Sequence, residues 1–325
     1  MKSAITFCLL VVLVLSGTRR TAEAAQVSGL PYVWLADWAK ANGFEVRWLK
    51  PDETLQLSKN GSKLVLTVDS RETQINGVQV WLLLPVVARN GKVCLAQLDV
   101  ERTLQPLLWP TRAQASARIR KICLDPGHGG KDPGNQVGSN QEKQYTLLLA
   151  QEVRTQLAQA GFKVTLTRST DTFIDLPTRS ELAKRQSADL LVSLHLNAAE
   201  TGRDSVQGAE VYCLTPAGAS STNARKEGSF AGWFPGNRHN DLNLFLAYQV
   251  QKALTRNLAV PDRGVRRARF AVLRNAVMPA VLVEAGFMSH PKEGRKIFTA
   301  AYRQKMARAI VEGLLAYKRA VERGV

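Results

Sequence analysis

The segment Lys121-Ile-Cys-Leu-Asp-Pro-Gly-His-Gly-Gly-Lys-Asp-Pro-Gly-Asn135 runs from a short apolar stretch into a turn dense in glycine and proline that carries one histidine. The apolar stretch reads as a buried strand, and the glycines allow tight turns that leave His128 uncrowded. In open α/β sheets ligands bind beyond the carboxyl ends of the strands, so a functional side chain is expected here. A glycine-rich loop after a strand can also cradle phosphate. This one matches neither G-x-x-x-x-G-K-[ST] nor G-x-G-x-x-G, which argues against that use.

Outward from this turn, helical periodicity covers 145–160 and stops at Gly161, and strand-like residues follow at 162–167. Further helices are expected at 176–186, 242–258 and 300–319, and strands at 190–194, 209–214 and 280–283. Strands alternating with helices of this length predict an α/β fold with a largely parallel sheet over 119–325.

Two more strand ends carry chemistry. Asp189-Leu-Leu-Val-Ser-Leu-His195-Leu-Asn197 turns polar at His195, and Ala280-Val-Leu-Val-Glu284-Ala-Gly-Phe ends on a carboxylate. A lone strand-terminal histidine is ordinary structure. Two of the four histidines at two strand ends of one sheet are harder to dismiss. A buried Glu284 needs a cation or a proton to manage its charge. Glu142 opens the first long helix, where an acidic side chain is favourable whatever its function. Two histidines and a carboxylate make a catalytic zinc shell with a position open for water, and a further carboxylate can move the proton. The pattern predicts metal-assisted hydrolysis, although H-E-x-x-H is absent.

Residues 26–108 have a different texture. A short helix is expected at 34–42, ending at Gly43, then strands at 45–49, 54–58, 64–68 and 78–83. Asn60-Gly61, Asn76-Gly77 and Asn90-Gly91 are hairpin or turn dipeptides. This is a small β-rich domain with no histidine and no clustered acidic residues, so it shows no chemistry of its own. Residues 109–118, opening on Trp109-Pro110, read as a linker.

Residues 1–24 have the layout of a secretory signal peptide: Lys2, an apolar core at 4–15 and a small-x-small site at Ala22-Glu23-Ala24. Its core is too short to span a bilayer, and Arg19 and Arg20 follow it, so they make no twin-arginine signal. Export to a periplasm or cell wall is expected. Cys94, Cys123 and Cys213 each lie in an apolar run and read as small buried hydrophobes, with a Cys123–Cys213 disulfide left open.

The 325 residues carry a net charge of +17, with 45% hydrophobic and 22% charged residues, which excludes wholesale disorder. No apolar run reaches the ~18 residues of a membrane helix. Residues 26–118 hold 11 basic and 8 acidic residues, whereas 119–325 hold 30 and 18, and five arginines fall in 263–274 alone. That arginine-rich stretch predicts a basic surface, suited to an anionic cell-wall polymer or simply solvated. Aromatic residues are not interleaved with the arginines, and an exported protein rarely meets DNA, so nucleic acid is not expected as a partner.

Leu124-Asp-Pro-Gly-His-Gly-Gly-Lys-Asp-Pro-Gly, Glu142-Lys143, Ser193-Leu-His-Leu-Asn-Ala, Arg263-Gly-Val and Met278-Pro-Ala-Val-Leu-Val-Glu-Ala-Gly-Phe-Met-Ser, in that order, resemble the zinc-dependent N-acetylmuramoyl-L-alanine amidases that cut bacterial peptidoglycan. The resemblance runs from about Arg120 to Tyr317. It implies a mixed, mainly parallel sheet flanked by helices, a zinc ion held by His128, Glu142 and His195, and Glu284 as catalytic acid/base. The implied substrate is peptidoglycan, cut at the amide between N-acetylmuramic acid and L-alanine. His290 stands where the family commonly has Asn and reads as a local variation. Most of 30–108, including Ile75-Asn-Gly-Val-Gln-Val and Pro85-Val-Val-Ala-Arg-Asn-Gly, resembles copper amine oxidase N-terminal-like domains, without implying copper. The Pro-Leu-Arg common after the Asn-Gly turn in that family is missing here.

Some relatives plug the zinc site with an inserted helix until an activator displaces it. The stretch 217–241 is short and rich in Gly, Ser and Asn, which predicts an open site beside a mobile loop, with Trp233 and Phe234 as candidate substrate contacts. The need for an activator does not follow from these residues. Two rival readings share the constellation: a zinc peptidase acting within the stem peptide, and a wall-binding protein that has lost turnover.

Overall fold

The computed structural model describes residues 24–27, 29–110, 118–222 and 232–323. The leader read over 1–24, apart from Ala24, and most of the 109–118 linker lie outside the described residues.

The N-terminal unit comprises β1 (Ala24–Val27), β2 (Leu30–Trp34), α1 (Leu35–Ala41), β3 (Glu45–Lys50), β4 (Thr54–Lys59), β5 (Ser62–Thr67), β6 (Glu72–Ile75), β7 (Val78–Trp81), β8 (Val87–Arg89) and β9 (Lys92–Ala96). It closes with α2 (Gln97–Asp99), a π-turn at Val100–Leu104 and α3 (Gln105–Leu108). All three Asn-Gly pairs form hairpin turns with positive φ at both residues: 43° and 81° at 60–61, 50° and 79° at 76–77, 49° and 71° at 90–91. That backbone matches the right-handed twist of the strands it joins.

The C-terminal unit follows as β10 (Lys121–Pro126), the small ribbon β11 (Gln136–Val137) and β12 (Asn140–Gln141), α4 (Glu142–Gln159), β13 (Lys163–Leu166), α5 (Leu176–Arg185), β14 (Leu190–Asn197), β15 (Ala209–Leu214), a 3-10 turn at Pro235–His239, α6 (Asn240–Leu258), β16 (Asp262–Ala268), α7 (Ala271–Arg274), β17 (Ala280–Phe287), α8 (Pro291–Ile297) and α9 (Ala300–Arg323). Strands β13, β10, β14 and β17 are parallel, β15 runs antiparallel to β17, and β16 is parallel to β15. The sheet is mixed and mainly parallel, with helices on both faces.

Alternation along the strands sorts the core. Ile122, Leu124, Val192, Leu194, Val211, Cys213, Val281 and Val283 pack on one face, in a cluster with side chains of α4, α6 and α9. Cys123, Leu191, Tyr212, Leu214, Ala280 and Leu282 pack on the other, with Ala183 of α5 and Val272 and Leu273 of α7. Each fully buried aliphatic side chain contributes about 1.5–3 kcal/mol by leaving water. Cys123 and Cys213 thus belong to opposite faces of the sheet, which is why no disulfide joins them. Both thiols are free and buried, as is that of Cys94.

The sheet does not stop at the C-terminal unit. Its order is β13-β10-β14-β17-β15-β16-β7-β6-β5-β4-β3, so the antiparallel meander of the N-terminal unit continues it. The joint is one parallel bridge, Val80 to Val265, reinforced by side chains. Asp262 accepts from the Gln79 amide at 2.9 Å, and the Trp81 indole donates to the Arg263 carbonyl at 3.0 Å. Arg267, buried, donates to the carbonyls of Trp81 and Arg102 at 3.1 and 2.8 Å. The arginine-rich stretch is therefore only in part the basic surface its composition predicts. Arg263, Arg266 and Arg267 belong to β16, where Arg266 and Arg267 are buried between the two units, while Arg263, Arg269 and Arg274 are half-buried.

Candidate active site

The decisive segment folds as its residues dictate. Apolar β10 ends at Asp125-Pro126, and the chain turns through Gly127, His128 (φ 61°), Gly129 (φ 127°) and Gly130 (φ 56°). A left-handed histidine is strained by the order of 1–3 kcal/mol, a cost concentrated at functional sites. A Cβ on Gly127 would sit 2.3 Å from Cε1 of the His195 ring, and one on Gly134 would sit 2.6 Å from Cδ2 of His128 and 2.7 Å from Glu142 Oε2. Glycine at these two positions makes room for the histidine rings and the carboxylate to converge.

His128, Glu142 and His195 come together with their ligating atoms within 4.8 Å of one another, a group able to hold a metal ion. Glu142 Oε2 lies 3.1 Å from His128 Nε2, and Oε1 lies 3.0 Å from His195 Nδ1. Glu142 is buried at the first residue of α4, and its carboxylate also accepts from the backbone amides of Asn135 and Leu196 and from the Asn135 side chain. Burial opposes ionisation of Glu142, but the hydrogen bonds and charge of the two histidines outweigh it and hold its pKa well below the ordinary carboxylate range.

His128 Nδ1 lies 2.8 Å from Asp132 Oδ2. Donation of Nδ1–H to that carboxylate turns the Nε2 lone pair toward Glu142 Oε2. Two lone pairs at 3.1 Å need a proton or a cation between them. Burial disfavours charge on His128, yet Glu142 and then Asp132 raise its pKa above the usual imidazole value. A carboxylate behind a ligating histidine is the arrangement that orients metal ligands.

Glu284 lies within β17, which runs on to Phe287 beyond the strand end expected near 283; it lines the same cleft, and its strand neighbour in register is His195. Its Oε2 is shut off from solvent with no hydrogen-bond partner. Burial, then the charges of Glu142 and Glu210, push its carboxyl pKa well above normal. The donor set, the paired lone pairs and this unpartnered oxygen all fit a cation in the cleft, which has a volume of about 630 Å³. Among the described residues no fourth His, Cys, Asp or Glu joins the three-member group.

Sequence reasoning missed the frame beneath these residues. Buried Asp125 accepts from Arg179 Nη1 (2.9 Å), Thr167 (2.6 Å) and Ser193 (2.7 Å). Arg179 also grips the carbonyls of Pro126 and His128, and Arg168 those of Pro126, Gly127 and Lys143. Two buried arginines thus hold the histidine turn by its backbone. The one available signal was the acidic residue closing an apolar strand directly before Pro-Gly-His.

His290 makes no contact with the metal group. Its Nδ1 accepts from the Glu293 amide as the cap of α8, and its Nε2 faces the Asp204 carbonyl at 3.1 Å. Of the loop 217–241, residues 223–231 lie outside the described residues; the described remainder holds only the 3-10 turn and the start of α6. Trp233 is exposed beneath Arg238, and Phe234 packs against the α7 face under Arg274. Neither ring is among the residues that line the cleft. Its apolar rim comes instead from Phe173, Leu176 and Phe270.

A family model described as N-acetylmuramoyl-L-alanine amidase matches residues 122–316. The chain belongs to this family. A second model, described as copper amine oxidase N-terminal domain, matches residues 16–106. The amidase AmiA of Escherichia coli (strain K12) is 35% identical over 230 residues, covering 63% of this chain and 78% of AmiA. Among solved structures, an N-acetylmuramoyl-L-alanine amidase from Clostridium difficile 630 superposes with a TM-score of 0.52 at 34% identity, over 62% of this chain and 97% of that one. The amidase AmiC2 of Nostoc punctiforme gives 0.51 at 33%, over 62% and 98%. Membership makes the chain a cell-wall amide hydrolase rather than a stem-peptide peptidase or a bare binding module.

Proposed function

We propose that the chain is a zinc-dependent amidase, exported behind a signal peptide at 1–24, whose unit 119–325 cuts peptidoglycan between N-acetylmuramic acid and L-alanine. The observation that carries this is the convergence of His128, Glu142 and His195 beside the unpartnered oxygen of Glu284. Imidazole and carboxylate donors suit zinc, and three of them leave a coordination position free. Bound there, zinc would supply Lewis acidity, acidifying water and polarising the scissile carbonyl.

The chain's own groups do the rest. Asp132 fixes the His128 tautomer, and Asn135 orients Glu142 by two hydrogen bonds of 2.9 Å. Glu284 takes the proton of the attacking water and delivers it to the leaving amine of L-alanine, restoring its starting state. A carboxyl with a raised pKa is matched to both transfers. The rim of Phe173, Leu176 and Phe270 excludes water around the bound strand.

Metal content and turnover measured on the same preparations test these roles. Glu284→Gln should retain one zinc per chain and lose about 10²–10⁴-fold in kcat. His128→Ala should lose both metal and activity. Near-normal turnover in Glu284→Gln, or full metal content in His128→Ala, would sink the assignments.

A further inference from the structure

The strand pairing sets two carboxylates side by side. Glu210 on β15 is the register partner of Glu284 on β17, and both alternate with residues of the α4/α6/α9 face, so they share the opposite face. Their surroundings differ. Glu210, 2% exposed, is held by four donors. Its Oε2 accepts from Nε of Arg263 at 3.0 Å and of Arg266 at 2.9 Å, and its Oε1 accepts from Asn197 Nδ2 at 3.0 Å and the Tyr212 hydroxyl at 2.9 Å. Glu284 Oε2 has none. A carboxylate tied by four donors is in no position to relay protons, but it does fix its donors in place.

Two of those donors abut the site. Asn197 lies two residues past His195, and Tyr212 pairs across strands with Leu282, two residues before Glu284. The two arginines are held from outside. The Arg266 guanidinium lies 4.3 Å from the centroid of the Trp81 ring, the Trp81 indole N–H donates to the Arg263 carbonyl, and Arg263 stacks on Phe287 at 4.8 Å. Trp81 ends β7, so it comes from the N-terminal unit.

We propose that Trp81, Arg263, Arg266 and Glu210 are positioning residues for the hydrolysis, a run of contacts through which the N-terminal unit fixes the frame around Glu284 and His195. This rests on the reading of Glu284 as the proton-handling group. None of the four lines the cleft, so their loss affects the chemical step rather than substrate binding. Removing one partner leaves a buried charge to find another, and a shift near 1 Å in a reacting group can cost on the order of 10²-fold in rate.

The test uses the full chain with a soluble muropeptide, reading kcat, KM, zinc per chain and the melting curve for Trp81→Ala, Trp81→Phe and Glu210→Gln. Trp81→Ala and Glu210→Gln should lower kcat about 10–100-fold at unchanged KM and zinc content. Trp81→Phe, which keeps an aromatic face for Arg266, should recover most of the loss. Unchanged kcat in folded Trp81→Ala and Glu210→Gln overturns the proposal. So does a loss appearing in KM or zinc content, or one that Trp81→Phe fails to relieve. If Trp81→Ala does not fold, Arg266→Lys takes its place under the same criteria, because lysine keeps the charge but loses the planar stack. Wild type and Glu284→Gln run alongside. An inactive wild type, or an active Glu284→Gln, defeats the functional reading itself, whereas an active wild type with unaffected variants defeats only the positioning role.

Discussion

The two halves of the eleven-stranded sheet are built by different rules. In the catalytic half, near-continuous apolar strands such as Leu190–Asn197 and Ala280–Phe287 carry single site residues in their C-terminal halves, and glycines there make room for other residues' side chains. In the N-terminal half, alternating strands such as Thr54–Lys59 are joined by Asn-Gly hairpins whose glycines serve the backbone alone. Nothing lies within 4 Å of a Cβ placed on Gly61, Gly77 or Gly91. One half spends conformational freedom on assembling a site; the other spends it on turning the chain.

Glycine substitutions turn this contrast into numbers. Gly127→Ala should have the largest effect, because its Cβ would lie 2.3–2.7 Å from three atoms of the His195 ring. We expect at least a roughly 10²-fold loss of kcat with reduced metal content, read by kinetics and metal analysis. Full activity would mean that the turn tolerates a displaced His195. Next comes Arg179→Ala, which strips the buried Asp125 of its ion pair. It should destabilise the fold by about 3–5 kcal/mol in denaturant titration, and a change under about 1 kcal/mol would show that the frame is redundant.

Asp132→Ala should leave the fold intact and weaken metal affinity about 10–100-fold, measured by competition with a chelator. Unaltered affinity would remove Asp132 from the support of His128. The smallest effect belongs to Gly77→Ala in the N-terminal half. Forcing alanine to φ 79° costs about 1–2 kcal/mol, visible as a lowered melting temperature at unchanged kcat. A marked loss of turnover there would mean that the contrast between the halves is wrong.

Sequence reading reached the site because its signals are local. His128 follows an apolar strand at a turn, His195 and Glu284 break otherwise apolar runs toward the carboxyl ends of their strands, and Glu142 starts a helix, so each was visible in a window of about ten residues. The Asn-Gly hairpins were visible for the same reason. What escaped depends on pairing between distant segments. Glu72–Ile75 is a strand because its neighbours β5 and β7 complete it, not because its composition is strongly β-forming. The arginines of Asp262–Ala268 look like a solvated basic face until β7 closes over them and Glu210 takes two of them. Arg168 and Arg179 act through backbone carbonyls some 40 to 50 residues away, and a sequence carries no local mark of that.

The most direct test of the whole account is digestion of purified peptidoglycan by the chain from Ala25 onward, with and without a chelator, with products read by mass spectrometry. The account predicts free stem peptides bearing a new L-alanine amino terminus, absent under chelation and restored by zinc. Cuts between residues of the stem peptide, or cleavage indifferent to chelation, would contradict it.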